Sequence, residues 1–309
     1  MTILLNILHT PWQFMLATAF PEVQFHATDW NLTFREVPAN VRVVTGEEFL
    51  DHQYDLVIYD NHHTAPVWKL LAIRSVFVLH CEQDLDVEAN REHIARVFSE
   101  CDHIVSVGEH KLWTLREWAS HPKSVVIRHA VFDLPPGEPI KGLIGTSHNA
   151  MSTEHITVWN DVQAGFPSLA IGHVNNAGPW PKAMPFGYDA YLTELRKLDV
   201  YINIVSGDSF GLAPLDAMSL GIPVITGLSR DIPAPFISGW NCMVTNTRAC
   251  WSQPTMRHWA KLLTEDRDLR NRIGTEGRKA ALDFYSLDLF VSNWTRIFDE
   301  AGTGHLPFP

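Results

Sequence analysis

Two aspartates, Asp208 and Asp216, stand eight positions apart in the stretch 199–227, which also contains several small residues and glycines. Between them, the backbone N–H groups of Phe210–Leu212 precede an expected helix and have no partner within it. Two carboxylate acceptors beside donors at a positive helix N-terminus suit a ligand with hydroxyl and phosphate groups, such as a nucleotide sugar. The alternative is a helix-capping aspartate beside a solvated one.

The elements around these aspartates form a strand, turn, helix and strand. Val200–Val205 is an apolar, β-branched run of buried-strand length. A short helix is expected from Pro214 to Leu220, because proline is tolerated in the first turn and Gly221 ends the pattern. The next strand starts at Val224-Ile225. In such a βαβ unit, ligands bind beyond the carboxyl ends of the strands.

Three short segments of this stretch, Asp208–Leu212, Asp216-Ala217-Met218 and Gly221–Val224, form one pattern. It resembles the donor-site signature of retaining glycosyltransferases of family four, which runs roughly from a glutamate and Gly-Phe-Gly-Leu to Glu-Ala-Met and then Gly-x-Pro-Val. Both family glutamates are aspartates here, with the gap of seven residues kept, so each carboxylate reaches one methylene less far. The resemblance implies an α/β chain of GT-B architecture, with two Rossmann-like domains whose parallel sheets face each other across a cleft. It also implies a nucleotide sugar as co-substrate, with no cofactor.

By this resemblance, Asp208 is a catalytic residue that holds the transferred sugar, and Asp216 contacts the donor ribose. The donor-binding residues expected in the same stretch are Ser209, Phe210, Gly211 and Leu212.

The residues that usually bind the diphosphate of the nucleotide sugar in this family are missing from the sequence. The family supplies an arginine and a lysine after the first strand of the second domain, but Thr146–Met151 has neither, and the next basic residue is Lys182. The candidate donor-binding replacements are His148 with Asn149, Arg230, or Lys182 itself.

In the first half of the chain, His80 follows the expected strand Val76–Leu79, and the family often has a histidine at this position. We expect it to act in catalysis, by contacting the sugar or handling a proton. The alternative is a structural histidine bonded to backbone. His9 and Trp12, in the first strand-to-helix turn, are expected to bind the acceptor, with a buried tryptophan as the alternative. Glu82 is interpreted as a solvated loop carboxylate.

No metal is expected. Asp84-Leu85-Asp86 matches an Asp-x-Asp metal motif, but a solvated helix start is the preferred interpretation. The 16 histidines show no convincing metal-ligand spacing.

Composition is that of a soluble globular protein, with 46% apolar and 19% charged residues among 309. No apolar run has the roughly 18 residues that a membrane helix needs. Four scattered cysteines and the absence of a signal-peptide pattern favour a cytoplasmic location. The formal charge of −11 disfavours a generally basic nucleic-acid or membrane surface.

Strands and helices alternate along the chain, which predicts doubly wound parallel sheets. We expect an N-terminal, acceptor-side Rossmann-like domain over 1–136 and a donor domain over 137–286, with a linker at Phe132–Pro139. The segment 287–309 is expected to be a helix that packs back toward the first domain. Its apolar stripe consists of Phe290, Trp294 and Phe298.

The sequence therefore predicts a retaining, metal-independent hexosyl- or pentosyltransferase that uses a UDP- or GDP-sugar. The sequence leaves three classes of hydroxyl acceptor open: a glycan, a small molecule, or a hydroxylated base in phage-type DNA. Two alternatives stay open as well. One is a GT-B sugar-nucleotide epimerase or hydrolase. The other is a non-catalytic glycosyltransferase-like binding protein, suggested by the missing arginine and lysine.

Overall fold

The structure is a computed structural model, in which the chain divides into two compact units. One is Met1–Ala130 with Leu287–Pro309, and the other is Val131–Ser286. The segment predicted as a linker, Phe132–Pro139, therefore belongs to the second unit. The structure describes residues 1–7, 9–32, 35–60, 71–80, 95, 98–109, 121, 123–148, 153–172, 187–204, 211–227, 235–245 and 252–300.

Unit 1 contains a seven-stranded sheet in which every pairing is parallel. The strands are β1 (Thr2–Asn6), β2 (Gln24–Ala27), β3 (Val41–Val43), β4 (Tyr54–Tyr59), β5 (Ala72–Leu79), β6 (His103–Ser106) and β7 (Ser124–Val126). Their order in the sheet is β3-β2-β1-β4-β5-β6-β7, so the chain reverses its direction of winding between β1 and β4.

Two helices of unit 1 cover one face of this sheet. Helix α1 (Thr10–Ala19) begins with a proline at its second position, where the fixed φ of proline suits a helix start. The last of the described helices, labelled α7 (Leu287–Glu300), buries Phe290, Trp294 and Phe298 in the same core. This confirms the prediction that these aromatics form a core stripe. A short 3-10 helix spans Glu48–Asp51.

Unit 2 contains a five-stranded sheet, also parallel throughout. Its strands are β8 (Ile144–His148), β9 (Ser168–Gly172), β10 (Val200–Asn203), β11 (Val224–Thr226) and β12 (Met243–Val244). Their order in the sheet is β12-β11-β10-β8-β9. Its helices are α2 (Thr153–Gln163), α3 (Tyr188–Leu195), α4 (Leu212–Ser219), α5 (Gln253–Glu265) and α6 (Arg267–Phe284). The predicted α/β class with doubly wound parallel sheets is confirmed.

Helix α4 starts two residues before the expected Pro214 and ends one residue before the expected Leu220. Its N-cap is Gly211, whose φ of +82° is a conformation that favours glycine, and Pro214 lies in its first turn. It ends in a Schellman motif, in which the N–H groups of Gly221 and Ile222 donate to the carbonyls of Met218 and Ala217 at 2.9 and 3.0 Å. Because α4 packs on β10, β11 and α6, its N-terminus has a fixed position beside the sheet.

Candidate functional site

Three histidines follow the carboxyl ends of three strands in unit 1. His80 comes directly after β5, while His9 and His129 each come three residues after the ends of β1 and β7. Parallel strands present their carboxyl ends at one edge of the sheet, where doubly wound folds bind ligands. The three side chains are therefore placed where a ligand of unit 1 is expected.

The three imidazole rings lie close together. The ring centroid of His80 is 5.4 Å from that of His9 and 6.2 Å from that of His129, which it faces in a stacked arrangement. His9 and His129 are 6.3 Å apart. His9 and His80 are half-buried and His129 is buried. We call His9, His80 and His129 the histidine cluster. Neutral imidazoles both donate and accept hydrogen bonds, so the cluster can bind hydroxyl groups and transfer protons.

Trp12 packs against His80, one member of the histidine cluster. Its side chain is fully buried, with its ring edge-on to His80 at 5.3 Å and near Trp294 of α7 at 5.5 Å. Because 0% of the Trp12 side chain is exposed, it has no surface that could contact an acceptor substrate. The structure therefore favours the alternative given for Trp12, a buried tryptophan, which packs against His80.

In unit 2, the N-terminus of α4 lies after the carboxyl end of β10. By their positions in the helix, the N–H groups of Leu212 and Ala213 have no acceptor within it, and they carry the positive end of the helix dipole. Gly211 carries no side chain above them. This arrangement can receive hydroxyl or phosphate oxygens.

Asp216, the fifth residue of α4, is buried, with 6% of its surface exposed. Its Oδ1 accepts a hydrogen bond from the Tyr188 hydroxyl at 2.8 Å. Asp216 is not a helix cap, because Gly211 occupies the cap position. It is not a solvated carboxylate either, because it is buried. A carboxylate is costly to bury unless it is hydrogen-bonded, and Tyr188 supplies one such bond.

The carboxyl end of β8, next to β10 in the sheet, is lined by hydroxyl groups. The Ser147 hydroxyl lies 3.0 Å from the Tyr201 hydroxyl, and burial raises the pKa of Tyr201 to about 12. The Thr146 hydroxyl is buried at the same end of the strand. Because β8 and β10 flank the point where the direction of winding reverses, this edge is the expected ligand position in unit 2. His148 is the last residue of β8, so its backbone lies at this edge.

Several sequence-predicted site residues lie outside the described residues. They are Asp208, Ser209, Phe210, Asn149 and Arg230, together with Glu82, Lys182 and the Asp84-Leu85-Asp86 motif. In the part of the chain that is described, no group of three or more histidine, cysteine, aspartate or glutamate side chains is arranged to hold a metal ion. None of the described helices is long and apolar enough to span a membrane.

Two residues of these sites were not among the predicted ones. His129 lies three residues after the end of β7, so the rule that the carboxyl ends of parallel strands share an edge could have found it. Tyr188 carried no comparable signal. Its contact with Asp216 joins two helices, and α3 was not predicted.

No family model matches the sequence of this chain, and no curated protein matches it. Solved structures match it well. A sucrose-phosphate synthase from Thermosynechococcus elongatus superimposes with a TM-score of 0.74 at 12% identity, covering 98% of this chain and 99% of the other. HepE from Anabaena in complex with UDP-glucose gives 0.72 at 12% identity, covering 96% and 99%. The fold is GT-B.

TarM has the same GT-B fold, and its structure gives a TM-score of 0.63 at 13% identity. The match covers 79% of this chain but only 54% of TarM, so the chain spans about half the length of that protein. The family-level assignment and the Asp-x7-Asp pattern rest on the sequence motif alone, because identities of this size define a fold and no more.

Proposed function

We propose that this chain is a retaining glycosyltransferase that moves a sugar from a nucleotide sugar to a hydroxyl acceptor. The observation that carries the proposal is Asp216, a buried carboxylate on helix α4, whose N-cap is Gly211, at the ligand edge of unit 2. A GT-B protein with a carboxylate at this position has an acceptor for ribose hydroxyls next to donors for the sugar and phosphates. HepE, which shares the fold, has been solved with UDP-glucose.

In this proposal the donor is a UDP- or GDP-sugar bound by unit 2. Asp216 accepts the ribose hydroxyls, while Asp208, Ser209 and the amides of Phe210, Gly211 and Leu212 hold the transferred sugar. The diphosphate is stabilised by the N-terminus of α4 together with His148, Asn149 and Arg230. We propose that no metal takes part and that the site acts in the cytoplasm.

Retention requires the acceptor oxygen to attack the face of the sugar from which the diphosphate leaves. The bond from the anomeric carbon to the diphosphate oxygen breaks with its electron pair on the diphosphate, through an oxocarbenium-like transition state. The bond to the acceptor oxygen then forms, and the acceptor proton passes to a diphosphate oxygen or to an imidazole. Among the residues of unit 1, the histidine cluster is suited to bind the acceptor hydroxyl, and His80 to handle the proton.

Nucleotide binding and turnover, measured on the parent chain, one test variant and one control variant, test the proposal. Calorimetry with UDP, GDP and their sugar derivatives should show one nucleotide binding to the parent chain. Asp208→Ala should keep the affinity for the free nucleoside diphosphate and lose most consumption of the nucleotide sugar. Glu265→Ala, which removes an exposed carboxylate at the end of α5, is the control. If no nucleotide binds to the parent chain, or if Asp208→Ala consumes the donor at the parent rate, the proposal is wrong.

A further inference from the structure

The Tyr188 hydroxyl and the Asp216 carboxylate form a buried hydrogen bond that links two helices. Tyr188 is the first residue of α3, Asp216 lies in α4, and the oxygens are 2.8 Å apart. Both residues are 6% exposed. A hydrogen bond to an ionised carboxylate is roughly twice as strong as one between neutral groups, and burial reduces its competition with water. This bond therefore restricts the rotation of the carboxylate.

The ring of Tyr188 is itself fixed by aromatic neighbours. Tyr191, one turn later on α3, stacks with it at 6.1 Å between ring centroids and an interplanar angle of 16°. Phe132 lies against it at 6.3 Å. The helix that carries both tyrosines starts at Gly187, whose φ of +100° favours glycine. Packing thus fixes the position of the Tyr188 hydroxyl. A hydrogen-bond donor must be held in this way if it is to orient another side chain.

We propose that Tyr188 is a positioning residue: its hydroxyl holds the Asp216 carboxylate in the orientation that accepts the donor ribose hydroxyls. This rests on the proposed function, in which Asp216 binds the ribose. An aspartate reaches one methylene less far than the glutamate of the resembling motif, so its productive orientations are fewer. The tyrosine then contributes to the preference for ribose over a sugar without the 2′ and 3′ hydroxyls.

The test compares UDP with 2′,3′-dideoxy-UDP, or the corresponding GDP pair if the parent chain prefers guanine. Two hydroxyls bonded to a charged acceptor predict that the parent prefers the ribonucleotide by about 10- to 100-fold. Tyr188→Phe should weaken ribonucleotide binding by roughly 5- to 20-fold and leave the dideoxy compound nearly unaffected. The preference ratio should therefore fall. A purely structural tyrosine would lower Tm and weaken both nucleotides equally.

Tyr191→Phe is the matched control, because it removes the hydroxyl of the stacked neighbour and should keep the parent preference ratio. A double-mutant cycle supplies a second, independent readout. In an Asp216→Ala background, Tyr188→Phe should cause no further loss of ribonucleotide affinity. An unchanged ratio in Tyr188→Phe, or losses that add in the double variant, would overturn the inference. Failure of the parent chain to bind any nucleoside diphosphate would instead overturn the proposed function on which it rests.

Discussion

Replacing His80 separates a role in chemistry from a role in packing, because two substitutions remove different parts of its side chain. His80→Phe keeps an aromatic ring against Trp12 and loses both nitrogens. His80→Ala loses the ring as well. The Trp12 contact is edge-on, with ring centroids 5.3 Å apart. Such pairs contribute about 0.5–1.5 kcal/mol beyond their buried area.

The two contributions have different expected sizes. Loss of one positioned proton-handling group lowers turnover by about 10²- to 10⁴-fold, which corresponds to roughly 2.7–5.5 kcal/mol in activation free energy. We expect both variants to show this loss. Loss of the ring contact should lower Tm by up to about 6 °C, at about 2–4 °C per kcal/mol for a unit of this size, and only in His80→Ala.

The assay measures the catalytic constant, nucleoside diphosphate affinity and Tm on the same preparations. His258→Ala, which removes an exposed histidine from α5, is the control. Affinity for the free nucleotide should change little in either His80 variant, because unit 2 is proposed to hold it. Near-parent turnover in His80→Phe, or a large fall in Tm with near-parent turnover at low temperature in His80→Ala, would refute the catalytic role.

Three further predictions follow from the described contacts. Asp216→Asn keeps an oxygen that can accept from the neighbouring phenol, so Tm should change little while nucleotide affinity in calorimetry falls by about 1.5–3 kcal/mol, roughly 10- to 150-fold; unchanged affinity would remove Asp216 from the ribose. Burial lowers the pKa of His26 and His103 below the ordinary value of 6.5. Between the lowered pKa values and about pH 6.5, the unfolded chain then binds more protons than the folded chain. The stability that these histidines contribute should therefore be fully present above about pH 6.5, and the free energy of unfolding should fall as the pH drops toward the lowered pKa values. Urea titrations at about pH 7.5 and about pH 5.5 measure this, and a chain with both histidines changed to glutamine should lose less; equal losses would contradict the assignment. In Gly274→Ala, the added methyl group would overlap the carbonyl oxygen of Gly221, so we expect a loss of about 1–3 kcal/mol in urea unfolding, and parent-like stability would contradict this packing.

The sequence predicts the centre of unit 2 well, because strong local signals mark it. The β-branched run at Val200 marks β10, and Pro214 and Gly221 mark the two ends of α4. A backbone with positive φ favours glycine, and a first helical turn tolerates proline, so both signals are local. For this reason the position of Asp216 within α4 could be predicted without knowledge of tertiary contacts.

Contacts between elements were harder to predict. The surroundings of Asp216 depend on Tyr188, which lies 28 positions earlier in α3. Helix α2 was also missed, because its sequence includes Ile156, Thr157 and Val158, whose β-branched side chains lower helix propensity. Burial of Trp12 shows the same limit, since a tryptophan in a strand-to-helix turn has no local signal for whether it faces solvent or the core.

The most direct test of the account is analysis of products from labelled nucleotide sugars. The parent chain, with UDP- and GDP-sugars labelled in the sugar, is incubated with glycans, small hydroxyl compounds and hydroxylated DNA, and products are identified by mass spectrometry and NMR. We expect release of nucleoside diphosphate that depends on an acceptor and on Asp208, with a product that keeps the anomeric configuration of the donor. Free sugar or an epimer formed without an acceptor, an inverted product, or no turnover with any donor would contradict it.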